Sequence, residues 1–205
     1  MIAVKLVVGG FSLNIISAYV PQVGLDEEEK RRLWEDLDEV VGSIPPTEKL
    51  FVGGYFNGHI GSISRGYDGV HGGFGFGDRN GGGVSLLDFA KAFGLVVANS
   101  SFPKKEEHLV TFRSSVAVMR IDFWLLRKDD KGLCKDCKVI SSENLTTQHK
   151  LLVMDLEIKR TKKTRVVDDR PRIRWVSLTL SSALEMGKKL MAMGSWDSRG
   201  DASSI

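Results

Sequence analysis

Leu50-Phe51-Val52-Gly53-Gly54-Tyr55-Phe56-Asn57-Gly58-His59-Ile60-Gly61 is the stretch on which the fold turns. An apolar run of strand character ends in two glycines, passes an asparagine able to point out of the strand end, and closes in a tight Gly-His-Ile-Gly turn. A strand that stops this way delivers polar side chains to the rim of a sheet. On its N-terminal side, residues 3–8 and 11–20 are β-branched, alternating runs separated by Gly9-Gly10, which predicts a two-stranded hairpin ending at Tyr19-Val20-Pro21. Between hairpin and strand, Leu33, Trp34, Leu37, Val40 and Val41 recur at three-to-four spacing after the acidic start at Asp26. They predict an amphipathic helix stopped by Gly42 and Pro45-Pro46, covering one face of a sheet.

On the C-terminal side, residues 58–83 are glycine-rich without apolar periodicity and are expected to form a long surface loop, a feature that points mildly to binding. A second helix is expected over 84–93, ending at Gly94, with strands over 95–98, 110–112, 121–126 and 151–158. This order predicts a layered α/β (α+β) domain with antiparallel pairs. After Ile158 the sequence becomes Lys159-Arg160-Thr161-Lys162-Lys163-Thr164-Arg165, then Asp168-Asp169-Arg170-Pro171. A boundary is therefore placed between a domain at 1–158 and a basic linker with a short helical tail at 159–205. The tail helix, expected over 181–193, carries too sparse an apolar stripe (Leu184, Leu190, Met191) to fold independently.

With 205 residues and 42% hydrophobic composition, the chain is long enough for one sizeable core. A net charge of +3 permits a polyanionic partner without requiring one. No apolar run approaches the length of a membrane span, and the first 20 residues lack the pattern of a secretory signal, which implies an intracellular, nuclear or cytoplasmic protein. The two cysteines, Cys134 and Cys137, are too few for a closed zinc site and lack a thioredoxin-like context, so they read as reduced loop or strand thiols. Neither a Walker loop nor a dinucleotide fingerprint is present, so no small-molecule cofactor is expected.

Four segments bring polar residues to strand ends. Tyr19 precedes Val20-Pro21 and is otherwise a half-buried aromatic; Asn57 is otherwise an ordinary turn residue. Asp122 sits inside the apolar run Ile121-Asp122-Phe123-Trp124-Leu125-Leu126, where a buried carboxylate needs a cation, a donor network or a rim position. His149, just before the strand over 151–158, is its natural partner. Such a pair would orient the imidazole for acid-base or phosphate-binding chemistry, or serve as a structural salt bridge.

Ser17-Ala18-Tyr19-Val20-Pro21, Gly53-Gly54-Tyr55-Phe56-Asn57, Ile121-Asp122-Phe123 and Gln148-His149 occur in the order of four motifs of the endonuclease/exonuclease/phosphatase, or DNase I-like, superfamily, which the chain resembles. Val84-Ser85-Leu86-Leu87-Asp88-Phe89 and Leu151-Leu152-Val153-Met154-Asp155-Leu156 are similar to the endonuclease domain of plant RTE-type non-LTR retrotransposons, often labelled craniofacial development protein 2-like. The resemblance implies a four-layer sandwich of two mixed β-sheets flanked by helices, and Mg2+ (or Mn2+) assisted cleavage of DNA phosphodiesters. It also implies that Asn57 places the phosphate and nucleophile, Tyr19 contacts the phosphate, Asp122 orients His149, and His149 binds or protonates the phosphate; it leaves the metal ligands unassigned. Lys159, Arg160, Lys162 and Lys163 are the candidate DNA-binding cations, with a solvated linker as the alternative.

Three departures from the pattern bear on activity. Tyr55 stands where the family has an aspartate, and a phenol is neutral at pH 7. Gln148 stands where most members have an aspartate before the histidine, which weakens affinity for a hard cation. The chain opens at the hairpin, which in the family is preceded by two more strands carrying an early asparagine and a metal-binding glutamate, so the sandwich is expected to be truncated at its N-terminal side. Weak or absent nuclease activity follows, with a noncatalytic nucleic-acid-binding remnant or a functionless pseudogene product as the alternatives.

Overall fold

The computed structural model describes residues 1–20, 27–145, 148–158 and 179–192, in two compact units, Met1–Thr161 and Lys162–Ile205. In the first, β1 (Ile2–Val8) and β2 (Phe11–Tyr19) form the expected antiparallel hairpin about Gly9-Gly10, with Val8 opposite Phe11. Helix α1 (Glu27–Ser43) then crosses to β3 (Lys49–Tyr55), which pairs with β2 in parallel. A parallel pair needs such a crossover, and the Leu37 and Val41 face of α1 supplies its buried contact. The sheet is completed by β7 (Asp122–Arg127) and β4 (Leu95–Val97), in the order β1-β2-β3-β7-β4. Alternation along the strands divides the residues between two cores. Ile16, Leu50, Val52, Phe123 and Leu125 face α1 and the second helix, α2 (Gly81–Ala92). Leu13, Phe51, Val96 and Leu126 face Cys134, Cys137, Leu152 and Met154 on the other side. Each fully buried leucine or phenylalanine in these layers contributes about 1.5–3 kcal/mol.

Two further sheets are antiparallel pairs: β8 (Cys134–Asn144) with β9 (Lys150–Leu156), and β5 (Phe112–Arg113) with β6 (Val118–Met119), and an isolated bridge between Phe112 and His149 runs between them. The sequence did not foretell β8. Its run Cys-Lys-Asp-Cys-Lys-Val-Ile-Ser-Ser-Glu-Asn is polar except at Cys134, Cys137, Val139 and Ile140, and a register shift after Cys134 breaks the two-residue period. Both cysteines are thus buried strand residues, and burial pushes the Cys134 thiol up to about 11 and that of Cys137 higher still. Such thiols are unreactive.

Residues 58–83 depart from the expected surface loop. Helix α2 begins at Gly81, before Val84, because the Asn80 side chain accepts the Gly83 N–H and caps the first turn. Upstream, Ile60, Val70 and His71 are buried. The Arg79 guanidinium organises the segment by donating to the carbonyls of Ile60, Ile63 and Arg65, and it lies over the Tyr67 ring. The strand expected over 110–112 shortens to Phe112–Arg113, because Thr111 turns its hydroxyl to the backbone N–H groups of Ile121 and Asp122.

In the second unit, α3 (Leu180–Ala192) is the described element, with its apolar residues Leu184, Leu190 and Met191 exposed and Glu185 paired to Lys189. No helix of the described residues is long and apolar enough to cross a membrane.

Candidate functional site

Sheet register builds the site. Tyr19 pairs with Tyr55 across the parallel β2–β3 ladder, and Tyr55 pairs with Asp122 across the antiparallel β3–β7 ladder. Register partners share a face, so the three side chains stand in one row at the strand ends. His149 comes from outside the five-stranded sheet. Its bridge to Phe112 sets it immediately before β9, and it packs edge-on to the Phe112 ring, with centroids 5.1 Å apart.

His149 Nδ1 lies 3.3 Å from Asp122 Oδ2, so the two residues anticipated as partners do meet, both partly buried. Burial holds the Asp122 carboxyl above its ordinary value, while the Thr111 hydroxyl and the His149 ring pull it back down. Asn99 anchors the same strand from β7's other edge: its Nδ2 donates to the Asp122 carbonyl and its Oδ1 accepts the Trp124 N–H. Thr111 and Asn99 were not singled out from the sequence. Each is a buried polar residue in an apolar neighbourhood, which is the signal that would have found them.

Tyr55 is 7% exposed and fills the space between the other members of the row. It stacks on Tyr19 at 5.1 Å and 22°, and stands edge-on to His149 at 5.6 Å and 67°. Tyr19, by contrast, is 61% exposed, so it is not the half-buried aromatic of the blander reading.

Two residues beyond Tyr55, Asn57 has φ 47°, a left-handed conformation that asparagine tolerates better than most residues. Its turn is pressed against the N-terminus of α2. The Asn80 side chain accepts the His59 N–H as well as that of Gly83, and a Cβ on Gly83 would stand 1.8 Å from the His59 carbonyl oxygen. A cleft of about 570 Å³ opens here, lined by Val20, Lys30, Trp34, Asn57, Gly82 and Ser85. Asn57 therefore sits where a helix N-terminus turns its positive end outward.

Gln148 is exposed, and its carbonyl accepts the Arg113 N–H. Lys159, Arg160, Lys162 and Lys163 lie outside the described residues, as do Pro21 and Thr146-Thr147. The donor set does not fit a divalent cation. A hard ion wants several oxygen ligands, yet the one carboxylate of the row, Asp122, faces His149, and a neutral phenol occupies the neighbouring register position. Among the described residues, no three histidine, cysteine, aspartate or glutamate side chains come together to hold an ion.

No family profile matches the chain. Among solved structures it is similar to the endonuclease domain of TRAS1, a telomere-specific non-LTR retrotransposon, with a TM-score of 0.53 and 15% identity over 78% of this chain and 62% of that one. It is likewise similar to the 3'-5' exonuclease NExo of Neisseria meningitidis and to an AP endonuclease of Archaeoglobus fulgidus. Each of these has a TM-score of 0.52 and 14% identity, over 76% of this chain and 65% of the other. The chain has the endonuclease/exonuclease/phosphatase fold. Among curated proteins it is similar to craniofacial development protein 2 of Tragulus javanicus, 29% identical over 161 residues, which are 78% of this chain and 28% of that protein. The Bos taurus protein of the same name is also 29% identical over 161 residues, 27% of its length. The chain thus spans little more than a quarter of these curated relatives, and less than two thirds of the solved nucleases. Within the endonuclease/exonuclease/phosphatase fold, the four motifs singled out in the sequence fall at the ends of β2, β3, β7 and the start of β9.

Proposed function

We propose that this chain is a retrotransposon-derived endonuclease domain that binds DNA phosphodiesters and cleaves them weakly or not at all. The observation that carries this reading is the Tyr55 ring, wedged between Tyr19 and His149 in the row that also holds Asp122. The fold shared with the TRAS1 endonuclease domain supports the lineage.

The residues at the strand ends suit phosphate binding. Asp122 holds Nδ1 of His149 and so fixes the ring's orientation, as a carboxylate does for a histidine that donates to a phosphate oxygen. Asn57, on its left-handed turn at the end of α2, offers an amide donor beside a helix N-terminus, where anions are favoured. Relatives of this fold use Mg2+ or Mn2+ to stabilise charge at the scissile phosphate. Here Tyr55 withholds the carboxylate such an ion needs, so phosphate recognition is kept while the charge stabilisation is lost.

Fluorescence anisotropy with labelled duplex and single-stranded DNA across a salt series, beside nicking of supercoiled plasmid with Mg2+ or Mn2+, tests the reading. Binding that weakens steeply with salt, without nicking, is expected. Nicking that His149→Ala abolishes would overturn the attenuated half of the proposal. Absence of any DNA binding would overturn all of it.

A further inference from the structure

Tyr19 is the one member of the row whose ring is mostly in solvent. One face of it rests on Tyr55, at 5.1 Å and 22°, while the residue as a whole is 61% exposed. The underlying ring is held by its packing. Tyr55 is buried among Phe112, Ile121 and Met119, and its position opposite Tyr19 is set by the β2–β3 register. The result is a flat aromatic surface supported from below, in the row that runs through Tyr55 to Asp122, and next in sequence to Val20, which lines the 570 Å³ cleft at Asn57.

A supported, exposed ring is a poor feature to leave in water, and a good one for a planar ligand. Stacking on it immobilises little that is not already fixed, so the entropic cost of binding is small. We propose that the outer face of Tyr19 is a stacking platform for an unpaired nucleobase, so that this site takes single-stranded or locally opened DNA in preference to continuous duplex. The proposal rests on the DNA-binding reading above. Within a duplex the base faces are covered by their neighbours, so a base can lie on Tyr19 only when it leaves the stack. Stacking is indifferent to base identity, because every base has a π face. Preference among sequences should therefore be slight, and preference for unpaired over paired strands marked.

The test measures anisotropy of a labelled oligothymidylate, the same strand with abasic sites in place of its bases, and a duplex of equal length. The protein is used as the full chain and as its Tyr19→Leu and Tyr19→Phe variants, with folding followed by circular dichroism. The base-bearing strand should bind roughly five- to a hundredfold more tightly than the abasic strand. Tyr19→Leu should erase that difference and Tyr19→Phe should keep it. Equal binding of base-bearing and abasic strands by the parent chain would overturn the stacking platform while leaving phosphate binding intact. Failure to bind strand and duplex alike would overturn the DNA-binding reading and the platform with it. Because the parent comparison needs no substitution, an unfolded Tyr19→Leu variant does not rescue the proposal.

Discussion

Tyr55 and His149 are in edge-to-face contact, 5.6 Å between centroids with the ring planes at 67°. The contact joins two sheets: Tyr55 ends β3 in the five-stranded sheet, while His149 leads into β9 of the β8–β9 pair. An aspartate at position 55 would put a second carboxylate opposite Asp122 in the ladder, a like-charged pair that a divalent cation relieves. The tyrosine puts aromatic packing there instead of charge. The Tyr55 ring thus supplies cohesion between the sheets.

Tyr55→Asp should therefore lose stability in the absence of metal, by about 2–4 kcal/mol, since it removes a buried ring and adds a carboxylate beside Asp122. Mg2+ should raise the variant's unfolding temperature and leave that of the parent unchanged. Plasmid nicking by the variant should exceed that of the parent by roughly a hundredfold or more. Thermal melts with and without Mg2+, beside a nicking assay, check both halves.

Gly54 has φ 149°, and a Cβ there would stand 1.9 Å from the Ala18 carbonyl oxygen on the neighbouring strand. Gly54→Ala should cost about 3 kcal/mol or more, because it strains the strand and pushes β2 from β3. Gly81, in the first turn of α2, has open space around its missing Cβ, and Gly81→Ala should stabilise by about 0.4–1 kcal/mol. Urea unfolding of the two variants should shift the midpoint in opposite directions.

The Arg79 guanidinium holds the segment upstream of α2 through three backbone carbonyls. Arg79→Ala leaves those carbonyls without their donor and should cost about 2–3 kcal/mol. The loss should be local, and limited proteolysis should show new cuts between residues 60 and 80 before the rest of the domain is attacked.

His71 is buried and neutral: its Nε2 donates to the Gly61 carbonyl, and its Nδ1 accepts the Gly73 N–H. Burial lowers its pKa, with Arg120 and Arg79 adding to the effect, while the Gly61 carbonyl and Asp68 oppose it. In the unfolded chain the ring titrates near its ordinary value of about 6.5. Below that pH the unfolded state binds a proton that the native state resists, so stability should fall as pH drops through about 6.5 toward the lower native value. Denaturant unfolding of the parent and of His71→Gln between pH 7.5 and 5 checks this, and the parent should show the steeper decline.

The legible parts of the fold were those in which one physical signal dominated. The Gly9-Gly10 hairpin, the α1 stripe through Leu37 and Val41, and the stop at Gly94 each follow from local rules of turn chemistry and periodicity. Strand β8 was hidden because it is half polar and irregular in register, and its burial depends on a partner, β9, that follows it in the chain. The start of α2 was hidden because three glycines are poor helix formers; a tertiary contact with the Asn57 turn fixes them.

What the sequence determined by itself is the set of strand-end residues, Tyr19, Tyr55, Asn57, Asp122 and His149. Tyr19, Tyr55 and Asp122 lie in strands whose alternation fixes which side chain reaches the rim, and Asn57 and His149 lie just outside strand ends. Their arrangement was decided by tertiary structure alone. Register across three strands set Tyr19, Tyr55 and Asp122 in one row, and the Phe112–His149 bridge brought the imidazole to it from outside the five-stranded sheet. Contacts between residues 27 or more apart along the chain arise from ladder pairing and sheet packing, and no local pattern encodes those distances.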